Sequence, residues 1–168
     1  MILVGLPGSG KSTVGAAVAA TLGRPFVDLD EEIVRHAGRS ITSIFAEDGE
    51  AAFRALERRA TLDLRGAAAS VVAPGGGWVT DPATVALLRP PARMAYLKVS
   101  PAEAARRLGG EVRSRPLLRD NPVVALERLL AARQGAYGGA DCVIDTEVLS
   151  LQEVTASVAA LVQTAGKG

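Results

Sequence analysis

Aromatic side chains are scarce. Three Phe, two Tyr and one Trp make up 4% of 168 residues, so the core has to be assembled mainly from Ala, Val and Leu. The same scarcity leaves no aromatic residues interleaved with arginines to stack on bases, which argues against a nucleic-acid patch. A single cysteine, Cys142, excludes an internal disulfide and any Cys-based metal cluster, and the lone His36 excludes a His cluster. That usage fits a reducing cytoplasm, with Cys142 as a small core residue. Charge of one sign is also missing: 19 basic against 18 acidic residues leave a formal charge of +1, with no global field to hold a nucleic acid or an anionic membrane. The longest uncharged stretch, 66–80, is interrupted by Pro74 and Gly75-Gly76-Gly77 and is too short to span a bilayer. Met1 to Val4 runs into a glycine loop without a basic leader or cleavage site, so a soluble chain without a targeting segment is expected.

What is present is an ordinary globular composition, 48% apolar and 22% charged, at a length that suits one domain over residues 1–168. Basic charge is carried by sixteen Arg and only three Lys, and thirty Ala accompany them, a bias that reads as genome composition. Short aliphatic runs at 2–4, 25–27, 70–73, 93–99 and 142–144 predict strands buried on both faces. Helix-compatible segments at 12–22, 30–36, 41–46, 50–65, 82–88, 101–108, 123–137 and 151–164 alternate with them. This alternation predicts an α/β fold with a five-stranded parallel sheet, helices on both faces and right-handed crossovers. Ligands of such sheets bind at the carboxyl ends of the strands. The stretch 109–122 breaks the rhythm and carries Arg113, Arg115 and Arg119, as expected of a lid over an anion.

Gly5-Leu6-Pro7-Gly8-Ser9-Gly10-Lys11-Ser12 fits G-x-x-x-x-G-K-[ST] between a strand and a helix. Glycines let successive N–H groups curl around phosphate oxygens, Lys11 reaches the β/γ-phosphates and the Ser12 hydroxyl faces Mg²⁺. Asp28-Leu29-Asp30 ends the second strand, where alternation sends both carboxylates to one side and Leu29 into the fold. One carboxylate can serve a metal and the other a substrate; equally, either can simply cap the following helix. The strand at 70–73 ends in no acid, which points to Asp28 for the metal. Gly75-Gly76-Gly77 permits close approach to the backbone or is a flexible turn. Arg54 and Glu57 are i, i+3 neighbours that either present a guanidinium to a ligand carboxylate or form a solvated pair. Arg133 follows the lid on the next helix. Trp78, after the glycines, shields the pocket or packs, and packing is the reading favoured here.

Taken together these residues resemble the shikimate kinase family, small P-loop kinases of aromatic amino-acid biosynthesis. The resemblance covers nearly the whole chain: GLPGSGKST at 5–13, DLD at 28–30, GRSITSIFAEDGEAAFRALE at 38–57, GGG at 75–77, RPLL at 115–118, and Arg133 followed by Tyr137. It implies a three-layer α/β/α fold with sheet order 2-3-1-4-5, a substrate-binding subdomain at about 30–60 and a lid at about 109–122. It further implies transfer of the γ-phosphoryl of MgATP to the 3-hydroxyl of shikimate, with ATP as co-substrate and Mg²⁺ as cofactor. Asp30 is similar to the family aspartate that holds the reacting hydroxyl and accepts its proton, and Asp28 to the one near Mg²⁺ alongside Ser12. Arg54 and Arg133 resemble the pair that binds the shikimate carboxylate, with Glu57 orienting Arg54 and the backbone of Gly76 and Gly77 contacting the substrate. Phe45, Phe53, Pro116 and Leu117 would wall the pocket. Gly8, Ser9, Gly10, Lys11, Ser12 and Thr13 would hold the phosphates, Arg115 would reach them from the lid, and Arg107 would stack on adenine. The family usually has a small hydroxyl residue between the two aspartates, where this chain has Leu29. The expected protein is a monomer that binds no nucleic acid and no membrane. The competing readings are a P-loop kinase acting on gluconate or a nucleoside monophosphate, and a nucleotide-binding module without turnover.

Overall fold

Runs of three to five mostly apolar residues suffice as strands when neighbouring elements cover both faces. In the computed structural model, which describes residues 1–110, 118 and 121–164, five such segments pair: β1 (Ile2–Val4), β2 (Phe26–Asp28), β3 (Val71–Ala73), β4 (Met94–Lys98) and β5 (Cys142–Asp145). Every ladder is parallel and the order is β2-β3-β1-β4-β5, as the resemblance implies. Burial on both faces holds for β1 and β3 at the centre and fails at the edges, where β2 is half-buried and Val143 of β5 is 58% exposed.

The connecting helices are α1 (Lys11–Leu22), α2 (Leu29–Ala37), α3 (Ile41–Glu47), α4 (Gly49–Asp63), α5 (Pro82–Val85), α6 (Pro101–Leu108), α7 (Pro122–Tyr137) and α8 (Leu151–Thr164), with a 3-10 turn at Trp78–Thr80. Three of them begin the same way. Asp81, Ser100 and Asn121 each cap a helix whose first residue is proline, where the missing N–H and fixed φ do no harm. Helix α5 is shorter than the 82–88 expected. Beyond Val85 the bonds from Leu87 to Thr84 and from Leu88 to Val85 tighten into turns, and Pro90-Pro91 cannot continue a helix.

Alternation along β1 splits the interior. Leu3 faces α1 and α8 through Val14, Val18, Val154 and Val158, whereas Ile2 and Val4 face Leu29, Trp78 and Tyr137. A third cluster of Leu6, Val99, Ala104, Leu108, Leu118 and Leu126 underlies the glycine loop. A fourth, Ile33, Ile44 and Phe53, joins α2, α3 and α4 to one another. Among the described residues no helix is long and apolar enough to cross a membrane.

Helix α1 lies close on β2. A Cβ on Gly15 would sit 2.3 Å from Cε2 of the Phe26 ring. Alanine at Gly15 gains about 1 kcal/mol of helix propensity and meets an overpacking penalty of about 1–3 kcal/mol. Gly15→Ala is therefore expected to lower stability by a net ~1 kcal/mol, read as a lower urea midpoint. An unchanged or higher midpoint would mean that the Phe26 ring swings clear without penalty.

Candidate active site

The glycine loop joins β1 to α1 at the carboxyl end of the sheet. Its geometry needs residues without side chains: Gly8 has φ 81°, and a Cβ there would lie 2.5 Å from the Ala104 carbonyl oxygen. Lys11 opens α1, and its Nζ donates to the carbonyl oxygens of Gly5 and Leu6, each at 3.0 Å. Ser9, within the loop, is fully buried. Gly8, Gly10, Lys11, Ser12 and Thr13 line a cavity of about 520 Å³ together with Asp28, Asp30, Gly75, Gly76 and Arg107.

Asp28 closes β2 and performs two tasks with two oxygens. Oδ1 caps α2 by accepting from the amides of Asp30 (3.1 Å) and Glu31 (3.4 Å), and Oδ2 accepts from the Ser12 hydroxyl at 2.8 Å. The capping and metal-side readings of this residue are thus compatible. Strand alternation does not place Asp30, contrary to expectation. The cap starts the helix at Leu29, so Asp30 stands in the first turn of α2. Leu29 does point inward as expected, 1% exposed and packed with Ile2, Val4 and Trp78. It offers no donor to a metal.

Three consecutive glycines organise the other half of the site. The position a Cβ would take on Gly75 lies 2.7 Å from Asp30 Oδ1, that on Gly76 lies 2.8 Å from Arg133 Nη1, and that on Gly77 lies 2.6 Å from Arg54 Nη2. A carboxylate and two guanidinium groups therefore converge on one turn, from α2, α7 and α4. Any side chain on that turn would displace one of them.

Arg54 is held from its own helix. Its Nη1 donates to Glu57 Oε2 at 2.8 Å and its Nη2 to Glu50 Oε1 at 3.2 Å. Its guanidinium carbon stands 5.4 Å from the centroid of the Phe53 ring, and Phe53 packs on the half-exposed Phe45 with centroids 4.7 Å apart. The two partners of the pair differ in burial, with side chains 36% exposed for Arg54 and 3% for Glu57. Burial accordingly dominates at Glu57 and pushes its carboxyl above the ordinary value; Arg54 opposes this, and the charges of Asp30 and Asp81 add to it. At Arg54 burial acts downward, but the bonds and charges of Glu57 and Glu50 outweigh it and hold the guanidinium above its usual range. Glu50 is the exposed partner of Arg54 and Glu57 the buried one.

Arg133 precedes Tyr137 by one turn. Tyr137 is buried and stacked on Tyr96 at 4.5 Å, and burial pushes its hydroxyl up to about 12 despite the nearby Arg133 charge. Arg107, on α6, reaches the cavity rim with its guanidinium fixed by Glu103 Oε1 (2.8 Å), Thr146 Oγ1 (3.0 Å) and the Thr146 carbonyl oxygen (2.6 Å). Arg115, Pro116 and Leu117 lie outside the described residues. Sequence reasoning missed Gly75 as the contact of Asp30, Thr146 as the anchor of Arg107, and Thr61, which accepts a hydrogen bond from Trp78. Only Gly75 left a signal, as a member of the glycine triplet.

For a metal, no group of three or more His, Cys, Asp or Glu side chains occurs among the described residues. The donor set at the loop is instead one hydroxyl and one carboxylate, Ser12 and Asp28, 2.8 Å apart. That suits Mg²⁺, which takes few protein oxygens and completes its octahedron with water and phosphate.

A family model described as shikimate kinase matches residues 7–163. A shikimate kinase of Geobacter sulfurreducens is 43% identical over 164 residues, covering 97% of this chain and 90% of that one. Among solved structures, a shikimate kinase from Acinetobacter baumannii in complex with shikimate superposes with a TM-score of 0.91 at 32% identity, covering 99% of this chain and 94% of that one. One from Aquifex aeolicus superposes with a TM-score of 0.82 at 29% identity, covering 99% and 98%.

Proposed function

The chain belongs to the shikimate kinase family, ATP-dependent enzymes that move the γ-phosphoryl of ATP to the 3-hydroxyl of shikimate, and from that premise we propose how its own residues divide the work. The observation that carries the assignment is the convergence of Asp30, Arg133 and Arg54 on the Gly75-Gly76-Gly77 turn. Shikimate is a hydroxylated ring with one carboxylate. Two arginines at one end of a turn and an aspartate at the other match an acceptor with an anionic group on one side and a reacting hydroxyl on the opposite side.

Arg54 and Arg133 hold the shikimate carboxylate, and the backbone of Gly76 and Gly77 contacts the substrate where no Cβ intervenes. Asp30 accepts the hydrogen bond of the 3-hydroxyl and takes its proton as the oxygen forms its bond to phosphorus and the bond to the departing ADP oxygen breaks. Gly8, Gly10, Ser12 and Thr13 cradle the phosphates around the buried Ser9, and Lys11 leaves its loop carbonyls to follow negative charge onto the β/γ-phosphate oxygens. Ser12 and Asp28 would hold Mg²⁺, which when bound neutralises charge on the phosphates. Arg107, already immobilised by Thr146, offers its guanidinium face to adenine. Arg115, in a lid over about 109–122, adds positive charge at the transferring phosphoryl, and α2–α4 act as the substrate-binding subdomain. The enzyme would act as a monomer, and a cytoplasmic location would keep Cys142 a thiol.

The test is release of ADP from MgATP with shikimate, gluconate, AMP or no acceptor. Release that depends on shikimate alone supports the assignment, and comparable turnover of gluconate or AMP overturns it. Arg54→Ala is expected to weaken shikimate binding by about 2–4 kcal/mol, because it leaves a carboxylate unpaired in the site. Titration calorimetry reads this directly. Unchanged affinity would remove Arg54 from the carboxylate site.

A further inference from the structure

Trp78 is the chain's only tryptophan and follows the glycine turn directly. Its ring is 1% exposed among Ile2, Val4, Leu29 and Met94, all apolar. Its Nε1 donates to Thr61 Oγ1 at 2.9 Å, and Thr61 Oγ1 in turn donates to the Glu57 carbonyl oxygen at 2.7 Å. Glu57 carries Arg54 by its side chain, and Arg54 returns to within 2.6 Å of the Cβ position of Gly77. The contacts close on themselves: glycine turn, indole, threonine, glutamate, arginine and the turn again.

A buried indole N–H needs an acceptor. Here the acceptor is the fully buried Thr61 side chain, on the same helix as Arg54, so satisfying the indole also fixes how far α4 stands from the turn. That gap has no slack inward, because the guanidinium already occupies the space a Cβ would fill. Any relaxation carries Arg54 outward.

We propose that the Trp78–Thr61 hydrogen bond positions Arg54 for shikimate, setting the gap between its guanidinium and the Gly76-Gly77 backbone without touching the substrate. The inference rests on Arg54 being a ligand of the shikimate carboxylate. Thr61 is therefore a positioning residue, and its loss affects one substrate and not the other.

The experiment measures kcat and both KM values for Thr61→Val, which removes the acceptor, and Thr61→Ser, which keeps it, with Arg54→Lys alongside. Thr61→Val is expected to raise KM for shikimate about tenfold, with KM for ATP and kcat within about twofold of the parent, since a small displacement of a binding group is enough. Thr61→Ser is expected to restore the parent KM. The emission of the lone tryptophan in Thr61→Val reports whether the indole has lost its partner in a folded enzyme. Should that variant not fold, Trp78→Phe removes the donor instead and is read in the same way. A shikimate KM that stays within about twofold of the parent, or KM values for both substrates rising together, overturns the inference. So does failure of Thr61→Ser to rescue. If Arg54→Lys also leaves the shikimate KM unchanged, the reading of Arg54 has failed and the inference with it; if Arg54→Lys raises it and Thr61→Val does not, the inference alone has failed.

Discussion

Replacing Asp30 with asparagine is expected to lower kcat by about 10²–10⁴ while changing the shikimate KM far less. The substitution is nearly isosteric, and the local backbone does not depend on the removed charge: the Asp30 amide is fixed by Asp28 Oδ1, and the helix it enters is capped by Asp28. An amide oxygen can still accept the hydrogen bond of the substrate hydroxyl, so binding survives. It cannot accept the proton at neutral pH, so the bond to phosphorus has to form on a neutral hydroxyl. Single-turnover rates with shikimate and MgATP, measured beside equilibrium affinity, separate the two effects. A variant that keeps more than about a tenth of the parent rate would relegate Asp30 to binding.

The second large effect is expected at Lys11. Methionine keeps the length and apolar stem of the side chain and removes only the charge. The parent ammonium group rests on two carbonyl oxygens, of Gly5 and Leu6, which carry partial negative charge within the loop itself. Phosphate oxygens carry full charges and outcompete them, most strongly as negative charge moves towards the departing ADP. Lys11→Met is expected to lower kcat/KM by about 10³-fold, roughly 4 kcal/mol of transition-state stabilisation. ATP affinity should fall by a smaller factor, because the backbone amides of the loop remain. Equal losses in affinity and in kcat/KM would show Lys11 to be a binding group only. Beside these two, the tenfold effect expected at Thr61 is small, as befits a residue that acts through another.

Residues that are neighbours in sequence were the legible part of the site. The phosphate loop and the aspartate pair lie within short segments, and local geometry brings each set together without tertiary help. Even there one local rule overrode another. Strand periodicity carried through residue 30 would have placed Asp30 on a sheet face, but Asp28 caps a helix and so turns the chain one residue earlier. Gly75 to Gly77 announced that something comes close, and the resemblance named a substrate at Gly76 and Gly77 without naming the side chains that meet the turn. Spacing alone could not have named them either, because Asp30, Arg54 and Arg133 sit on three separate helices. The strand order likewise came from the resemblance, since alternation of strands and helices is the same for several parallel orders. Thr61 and Thr146 could not be read at all, because a hydroxyl on a buried helix face or after an edge strand has no pattern of its own.

The interior is divided, and the division bears on how such an enzyme responds to substitution. Ile33, Ile44 and Phe53 pack α2, α3 and α4 together, while the phosphate loop rests on Leu6, Ala104 and Leu108. Stability losses in well-separated clusters add without amplifying one another. Substitutions at Ile33, Ile44 or Phe53 are therefore expected to loosen α2, α3 and α4 against one another while the footing of the phosphate loop stays undisturbed.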